Sequence, residues 1–563
     1  MRTVMPIGFE DFKEIIDKDL FYVDKTSMIR ELLDRGGKVN LITRPRRFGK
    51  TLNLSMLKYF FELSIGSDGE VIDNRSLFQG LAISSCNEEY LSHQGQYPVI
   101  NLSLKSAKQP DYEMAYESLI DEIAQEYRRH DYILDTDELT EVEKERFTAV
   151  RNREAGRLEY AKALEFLSYC LERYHHRNVI ILIDEYDVPL ENAYFEGFYK
   201  PMVSFLRSLF ESALKTNPHL EFSVITGCLR ISRESIFTGL NNLKIFSVLS
   251  PSFDDCFGFT EKEVKEMLSF CGLDHKYEEV KKWYDGYLFG RQEIYNPWSI
   301  LNYIDNAQQD IRVLPRPYWS NTSSNSIIKE MVEDADFETR EELEKLIAGD
   351  TIEKAVHEDI TYGDIHESIE NFWNFLFFTG YLKKIQERQE DDTIFLELAI
   401  PNAEIRSIYR NTILTWFEKK IRATNMSPLF AALEKGDCET IEDFISKLLQ
   451  ETISFFDYSE NYYHGFLAGL LKTSSKYGVY SNRENGSGRS DIVLKTHTIR
   501  DGRAIILELK AAKDFQQMDA LCREALKQIE DRNYAAGLLA EGYQEIKKYG
   551  ICFYRKECLV MEA

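Results

Sequence analysis

The sequence predicts an α/β protein with a parallel sheet in its N-terminal half and a smaller α/β domain at its C-terminus. Three observations support this: apolar runs alternate with helical segments up to Thr226, the composition is that of a well-packed protein, and further strand patterns follow Tyr477. Strands that alternate with helices are typical of parallel sheets, whose ligand sites lie beyond the carboxyl ends of the strands.

Composition limits the class of protein. The 563 residues exceed what one core holds, and 44% are hydrophobic. Without an apolar run of about 18 residues or a signal-peptide core, we expect a cytoplasmic protein that uses no membrane. The nine cysteines are scattered without a Cys-x-x-Cys pair, which indicates reduced thiols rather than disulfides or a zinc site.

The charge is unevenly distributed. The net charge of −25 argues against a protein that binds a polyanion with its whole surface. Residues 461–563, however, contain 16 Lys and Arg against 13 Asp and Glu, a local net charge of +3. If nucleic acid is bound, we expect it at the C-terminal end.

The segment Leu41–Leu57 organises the N-terminal half. An apolar run ends in a turn at Arg44, and Gly49-Lys50-Thr51 then opens a helix. In such a strand–loop–helix, backbone N–H groups face an anion, the lysine reaches the outer phosphates and the hydroxyl holds Mg²⁺. The predicted ATP-binding loop is therefore Arg46, Arg47, Phe48, Gly49, Lys50 and Thr51.

This loop departs from the usual pattern at one position. Arg44 stands where the strict phosphate-loop pattern has its first glycine. Taken alone, Gly49-Lys50-Thr51 is equally compatible with a basic loop that caps an ordinary helix.

A second signal is the run from Asn178 to Asp187, in which apolar residues end in carboxylates. In a parallel sheet Asp184 lies near Lys50 and Thr51, where it can hold Mg²⁺, and Glu185 is placed to polarise an attacking water. The alternative is a simple exit from strand to turn.

A third strand, from Leu220, ends at Thr226, which can sense the terminal phosphate. Arg230 or Arg233 can neutralise charge during phosphoryl transfer, or can equally be a surface arginine.

Two further motifs join these segments in a resemblance to a known family that covers nearly the whole chain. They are Trp283-Tyr-Asp-Gly-Tyr-Leu-Phe-Gly and Tyr295-Asn-Pro-Trp-Ser. The sequence resembles the bacterial AAA-ATPase-like family that carries a PD-(D/E)XK nuclease-like domain at its C-terminus. In that family an Arg-Pro-Arg-Arg loop is usual. The resemblance therefore implies that Arg44, Arg46 and Arg47 add positive charge around a bound triphosphate.

Near the C-terminus, Asp491 starts one strand, and Glu508 and Lys510 lie on the next. Because Leu509 alternates with them, Glu508 and Lys510 project from one face of the sheet. Asp491 and Glu508 offer oxygen ligands to Mg²⁺ or Mn²⁺, and Lys510 can activate water and stabilise a phosphorane. A charged edge on a small β-hairpin is the alternative.

Other residues near this motif have more open roles. Gln528, with Tyr534, resembles the accessory glutamine and tyrosine of some nucleases in the superfamily. Glu484 is a further ligand or a strand-end charge, Ser490 replaces the family's proline, and His464 is expected to be structural.

The predicted fold is a P-loop NTPase three-layer sandwich with a helical lid and connector, plus a C-terminal restriction-endonuclease-like α/β domain. We predict an AAA-ATPase-like domain over 1–255, a helical lid over 256–345, a mainly helical connector over 346–455 and a nuclease-like domain over 456–563.

Three functional hypotheses follow. The first is an ATP-hydrolysing protein that controls a Mg²⁺- or Mn²⁺-dependent deoxyribonuclease. The second is a nucleotide-dependent switch or sensor that binds nucleic acid without cleaving it. The third is an ATPase domain that binds ATP and barely hydrolyses it. Homo-oligomers formed through the ATPase domain are plausible because arginines placed like Arg230 often act across subunit interfaces.

Overall fold

The computed structural model describes residues 4–66, 69–229, 236–237, 241–321, 336–357, 368–450, 460–472, 474, 476–485, 488–498 and 502–563. The chain forms two compact units. Unit 1 comprises residues 1–322 and 351–407, and unit 2 comprises residues 323–350 and 408–563.

The described helices are α1 Phe12–Asp17, α2 Ser27–Arg35, α3 Lys50–Phe61, α4 Glu88–Leu91, α5 Tyr112–Arg129, α6 Glu141–Arg151, α7 Arg157–Ala161, α8 Ala163–His175, α9 Val188–Phe195, α10 Tyr199–Phe210, α11 Glu261–Phe270, α12 Tyr277–Tyr284, α13 Pro297–Gln309, α14 Phe337–Ala348, α15 Ile369–Phe378, α16 Ala403–Ala423, α17 Ser427–Lys435, α18 Cys438–Gln450, α19 Glu460–Leu471, α20 Met518–Asp531 and α21 Tyr534–Glu541. The described strands are β1 Val39–Thr43, β2 Ser64–Ile65, β3 Val71–Ile72, β4 Val99–Ser103, β5 Val179–Asp184, β6 Leu220–Gly227, β7 Leu243–Phe246, β8 Phe259–Thr260, β9 Tyr287–Phe289, β10 Gln292–Tyr295, β11 Ile352–Val356, β12 Lys383–Glu390, β13 Thr393–Ala399, β14 Tyr477–Asn485, β15 Gly488–Thr496, β16 Arg503–Ala511, β17 Glu545–Tyr554 and β18 Glu557–Glu562.

The main sheet of unit 1 is parallel, as the alternation of strands and helices predicts. Within the described residues its strand order is β4-β5-β6-β1-β7. Strands β1 and β5 are buried along their whole length, which explains their unbroken apolar character. Because β6 lies between β5 and β1, the carboxyl ends of these three strands meet at one edge of the sheet.

The segment predicted as a helical lid contains strands as well as helices. Strands β8, β10 and β9 form a small antiparallel sheet, and α11, α12 and α13 surround a core that includes Tyr284 and Tyr303. The aromatic residues here are thus core residues. The N-terminal segment packs on this core through Phe21 and Val23, and the Lys25 ammonium donates to Glu263 at 2.7 Å.

Unit 2 is built around a mixed sheet whose order within the described residues is β14-β15-β16-β17-β18. Strands β16 and β17 are parallel and the other neighbours are antiparallel. Helices α17, α18 and α19 cover one face of the sheet, and α20 and α21 cover the other. The result is a three-layer α/β/α arrangement, which agrees with the predicted fold class.

The four-segment division of the chain stays a prediction, and the two compact units divide the predicted connector differently. Residues 351–407 belong to unit 1 and include the antiparallel sheet β11-β13-β12. Helices α17 and α18 belong to unit 2, because apolar side chains such as Leu429 and Ile445 pack on its sheet.

Among the helices of the described ranges, none combines the length and the apolar character that crossing a membrane requires.

Candidate nucleotide site and candidate nuclease site

The loop between β1 and α3 turns through two residues with left-handed backbone. Arg47 has φ 69° and Gly49, the N-cap of α3, has φ 82°. Glycine adopts this region without steric cost, so Gly49 fits the position directly before the helix. The strand, loop and helix therefore lie where the sequence predicts them.

Lys50 lies inside this loop. Its ammonium donates to the carbonyl oxygens of Arg44 and Pro45, each at 3.0 Å, and its side chain is buried. Burial lowers the pKa of Lys50, but Cys228 and the carboxylates of Glu185, Asp187 and Asp184 outweigh that effect, so the pKa is raised. A fully charged ammonium is thus held at the centre of the loop.

Thr51, Asp184 and Thr226 come together at the carboxyl edge of the sheet. The Thr51 hydroxyl donates to one Asp184 carboxylate oxygen at 2.6 Å, and the Thr226 hydroxyl donates to the other at 2.5 Å. Asp184 is buried at the end of β5. A carboxylate beside a threonine hydroxyl supplies the hard oxygen atoms that Mg²⁺ prefers.

Glu185 follows Asp184 in a left-handed conformation, with φ 51°. Burial raises the pKa of Glu185, and the neighbouring charges of Asp184 and Asp187 add to this rise while Lys50 opposes it. The carboxylate therefore lies within the electrostatic field of the loop lysine, and it is more basic than an ordinary glutamate.

The Arg44 guanidinium is bound inside the protein, whereas the expectation from sequence places it around a bound triphosphate. It is fully buried and donates to the carbonyl oxygens of Thr43, Phe246 and Phe253 at 2.8 to 2.9 Å. Burial lowers the pKa of Arg44 to about 10. Arg44 instead ties the end of β1 to β7 and to the loop that follows β7.

The side chain of Phe48 is also structural. It is buried, and its ring centre lies 5.0 Å from that of Tyr287 and 5.1 Å from that of Phe289. The Phe48 carbonyl accepts from Gly258 N–H at 3.1 Å. Phe48 therefore anchors the loop to β9, and any contribution to nucleotide binding comes from its backbone N–H.

The two remaining loop arginines make different contacts. The Arg46 guanidinium forms an ion pair with Glu191 on α9. Arg47 is exposed, and its guanidinium carbon lies 3.8 Å from the centre of the Trp298 ring. Arg47 is thus the loop arginine with a solvent-facing charge.

Sequence reasoning missed the roles of Tyr186 and Asp187. The buried Asp187 carboxylate accepts from the N–H groups of Cys228 and Leu229, at 2.7 and 3.1 Å. The Tyr186 hydroxyl donates to the Leu229 carbonyl at 2.6 Å, and a Cβ on Gly227 would lie 2.4 Å from the Tyr186 ring. The sequence signal for these contacts was Asp187, the second aspartate of Asp-Glu-Tyr-Asp.

The contacts of Tyr186 and Asp187 reach Leu229, the last described residue before residue 236. Arg230 and Arg233, the two candidate charge-neutralising arginines, lie outside the described residues.

In unit 2, Asp491 and Glu508 lie side by side on β15 and β16. The antiparallel register pairs Ile492 with Leu507, which brings the two acidic residues together. Asp491 Oδ2 accepts from Leu509 N–H at 2.8 Å, and Asp491 N–H lies 3.4 Å from Glu508 Oε2. The two carboxylates are therefore fixed by the backbone of two paired strands.

Gln528 on α20 connects Glu508 and Lys510. Its amide nitrogen donates to Glu508 Oε1, and its amide oxygen accepts from the Lys510 ammonium at 3.0 Å. The Tyr534 hydroxyl lies 3.5 Å from the same amide nitrogen. Glu508 and Lys510 reach α20 because their strand turns Leu507 and Leu509 towards the opposite, apolar face.

The pKa of Glu508 is strongly raised in this cluster. Glu508 is 1% exposed, and burial followed by the charge of Asp491 raises its pKa to about 8. Because Asp491 and Glu508 are adjacent carboxylates and Glu508 is buried, their negative charge favours the binding of a cation.

His464 on α19 contacts backbone and hydroxyl groups. Its Nε2 lies 3.0 Å from the Asp491 carbonyl oxygen and 2.9 Å from Ser481 Oγ. These contacts hold α19 against β14 and β15, which fits the structural role expected for this residue. The side chain of Glu484 lies outside what the structure describes.

Comparisons with known proteins match both parts of the chain. Residues 6–237 match the family described as a predicted AAA-ATPase, and residues 458–563 match the PD-(D/E)XK nuclease superfamily. The chain therefore carries an AAA-ATPase-like domain followed by a C-terminal domain of the PD-(D/E)XK nuclease superfamily.

One relative is similar along nearly the whole chain. It is described as an uncharacterized protein in the vnfD 5′ region of Azotobacter chroococcum mcd 1. It is 24% identical over 570 residues, which cover 98% of this chain and 97% of the relative. The similarity thus extends across both domains.

Proposed function

We propose that this chain binds and hydrolyses ATP, and that its nucleotide state controls a Mg²⁺- or Mn²⁺-dependent DNA phosphodiesterase in the C-terminal domain. The observation that carries the proposal is the meeting of Asp491, Glu508, Lys510 and Gln528 on one face of a sheet. The family matches support the two domain classes.

In the N-terminal domain, Lys50 neutralises the outer phosphates of ATP. Thr51 and Asp184 would hold Mg²⁺, which neutralises phosphate charge when bound. The raised pKa of Glu185 suits a residue that polarises the attacking water. The Thr226 hydroxyl donates to the second carboxylate oxygen of Asp184, which supports a role for Thr226 in sensing the terminal phosphate.

In the C-terminal domain, Asp491 and Glu508 would hold Mg²⁺ or Mn²⁺, which activates water and offsets charge on the phosphodiester when bound. The donor set fits such an ion because both side chains offer oxygen ligands and their mutual repulsion favours a cation. Lys510 orients the attacking water and stabilises the charged phosphorane. Gln528 fixes the position of the Lys510 ammonium.

Nucleic acid is the proposed partner of this domain, and DNA is the proposed substrate. The nuclease-superfamily match and the local charge of +3 over residues 461–563 support this assignment. Self-association through the ATPase domain stays a prediction from the sequence.

The test is a cleavage assay on the full-length purified chain. Linear, circular and single-stranded DNA are incubated with Mn²⁺, with and without ATP. We expect cleavage by the wild type and a loss of at least about 100-fold in Glu508→Gln and Lys510→Ala, because each removes one catalytic group. The matched control is Lys513→Ala, an exposed lysine on the same segment.

Two outcomes separate the hypotheses. Cleavage that persists unchanged in both variants would refute the nuclease assignment. DNA binding with no product in Mn²⁺ would favour a switch or sensor that binds without cutting. Glu185→Gln separates the ATPase hypotheses, because it should trap bound ATP if hydrolysis occurs and change little if it does not.

A further inference from the structure

Trp298 connects the candidate nucleotide loop to the helical part of unit 1. The Arg47 guanidinium stacks on its ring at 3.8 Å, and Trp298 occupies the second position of α13. A cation on an aromatic ring at a partly exposed site contributes only about 0.5–1 kcal/mol. A phosphate oxygen binds a guanidinium through stronger, charge-assisted hydrogen bonds. A bound triphosphate would therefore compete with the Trp298 ring for Arg47.

The residues around Trp298 contact a buried carboxylate, Glu404. The Trp298 indole N–H donates to the Tyr318 carbonyl at 3.3 Å. The next residue, Ser299, donates through its hydroxyl to both Glu404 oxygens, at 2.8 and 3.0 Å. Trp319 N–H donates to Glu404 Oε1 at 2.9 Å. A shift of Trp298 thus acts on Ser299 and on the Tyr318–Trp319 segment, which both donate to Glu404.

A second set of contacts leads from the loop to the same place. Gly380 approaches Pro45 so closely that a Cβ on Gly380 would lie 3.0 Å from the Pro45 ring. The following residue, Tyr381, is buried, and its ring centre lies 5.0 Å from that of Trp319. Pro45 and Arg47, on the segment between β1 and α3, are therefore each connected to Trp319 or to its neighbour Tyr318 through one intervening contact.

Glu404 occupies a special position along the chain. It lies in the first turn of α16, and residues from Ile408 onward, within the same helix, belong to unit 2. Trp319 lies shortly before residue 323, where the chain first enters unit 2. The hydrogen bond between Trp319 and Glu404 thus connects, within unit 1, the residues that precede the boundary at 322/323 with those that precede the boundary at 407/408.

The hydrogen-bond partners of Glu404 among the described residues are neutral donors: the Ser299 hydroxyl and the backbone N–H groups of Trp319 and Tyr318. A neutral hydroxyl and a neutral N–H only partly compensate a buried charge, and burial raises the pKa of Glu404 to about 7. Such a contact can be rearranged at a smaller energetic cost than a buried ion pair.

We propose that Trp298 and Glu404 are positioning residues that transmit the nucleotide state of the Arg47 loop to α16, the helix that continues into the nuclease unit. The inference rests on the proposed function and specifies its regulation. ATP withdraws Arg47 from Trp298, α13 shifts, and the hold of Ser299 and Trp319 on Glu404 changes. The start of α16 responds before the chain enters unit 2.

The test combines nucleotide binding with amide hydrogen exchange on the full-length chain. Binding is followed with a fluorescent ATP analogue in Mg²⁺, and exchange across 403–423 is compared with and without ATP. In the wild type we expect ATP to change the exchange rates of this segment several-fold. In Trp298→Ala and Ser299→Ala we expect less than half of that change, with nucleotide affinity within about threefold of the wild type.

Trp283→Ala is the matched control, because Trp283 is a half-buried tryptophan of the same unit that lies within α12, with its ring against Tyr284 rather than against Arg47. It should keep the full response. Ser299→Ala removes one hydroxyl only, so it guards against misfolding of the tryptophan variant.

A full ATP response in both Trp298→Ala and Ser299→Ala overturns the coupling, as does ATP binding to the wild type without any change across 403–423. A wild type that binds no nucleotide refutes the proposed function and the coupling with it.

Discussion

At the scale of single residues, the loop before α3 contains side chains that hold the loop in place and side chains that we propose to contact a nucleotide. Arg44 and Phe48 are buried against strands and loops that come some 200 residues later in the sequence, such as Phe246 and Phe289. Lys50 and Thr51 remain at the edge of the sheet beside Asp184. Adjacent residues in one motif thus divide between contacts that hold the loop and contacts that form the candidate site.

The buried guanidinium of Arg44 gives a prediction about stability. Replacing Arg44 with Met leaves the carbonyl oxygens of Thr43, Phe246 and Phe253 without their donor. We expect a loss of about 2–4 kcal/mol in unfolding free energy, because unsatisfied buried acceptors are costly. Urea denaturation measures it. Arg30→Met, at an exposed arginine, should stay within about 0.5 kcal/mol, and an equal midpoint for both variants would contradict the role of Arg44.

Gln528 is the residue that connects the two halves of the candidate nuclease site. Its amide nitrogen donates to Glu508 and its amide oxygen accepts from Lys510, so it orients both the proposed metal ligand and the proposed catalytic ammonium. Partners that orient metal ligands typically affect affinity or activity by about 10–100-fold.

We therefore expect Gln528→Ala to lower Mn²⁺-dependent DNA cleavage by about 10–100-fold while the fold is retained. The loss should include a weaker apparent affinity for Mn²⁺, because Glu508 is no longer oriented. A Mn²⁺ titration of the cleavage rate measures both effects. Gln544→Ala, at an exposed glutamine, serves as the control; if the two variants behave alike, Gln528 does not orient the site.

At the scale of elements, alternation along β16 explains the candidate nuclease site. Leu507 and Leu509 enter the apolar core under α17, α18 and α19, and this turns Glu508 and Lys510 towards α20. A period of two therefore allowed the sequence to predict that both polar side chains share one face. The contact with Gln528 depended on where α20 packs, which the spacing alone does not determine.

The first turn of α16 gives a prediction about pH. Glu404 is buried among Ser299, Trp319, Tyr318 and Tyr284, and its folded pKa of about 7 lies above the ordinary value of 4.5. A raised pKa means that the folded state binds the proton more tightly than the unfolded state. The stabilising contribution is thus complete below pH 4.5 and is lost as the pH rises through about 7.

We expect the stability difference between the wild type and Glu404→Gln to change by about 2–3 kcal/mol between pH 5 and pH 8, with the wild type losing stability as the pH rises. Urea denaturation at several pH values measures this difference. Glu89→Gln, at an exposed glutamate, should leave the pH profile of the wild type unchanged. A pH-independent difference for Glu404→Gln would show that Glu404 titrates normally.

At the scale of the whole molecule, the sequence was sufficient for the order of the two domains and for the parallel sheet. Apolar strands such as β5 and the strand–loop–helix at Lys50 have strong local signals. The burial of Arg44 had no such local signal, because the carbonyl groups that it contacts at Phe246 and Phe253 are distant in sequence. The place of α17 and α18 in unit 2 was likewise hidden, because an amphipathic helix does not indicate which sheet it covers.

The central claim is that nucleotide bound near Lys50 controls DNA cleavage at Glu508. Its most direct test is the Mn²⁺-dependent cleavage rate of full-length protein, with and without ATP, in the wild type, Lys50→Ala and Glu508→Gln. We predict that ATP changes the rate of the wild type, that Lys50→Ala still cuts but no longer responds to ATP, and that Glu508→Gln does not cut. Equal rates with and without ATP in an active wild type, or undiminished cleavage by Glu508→Gln, would contradict the account.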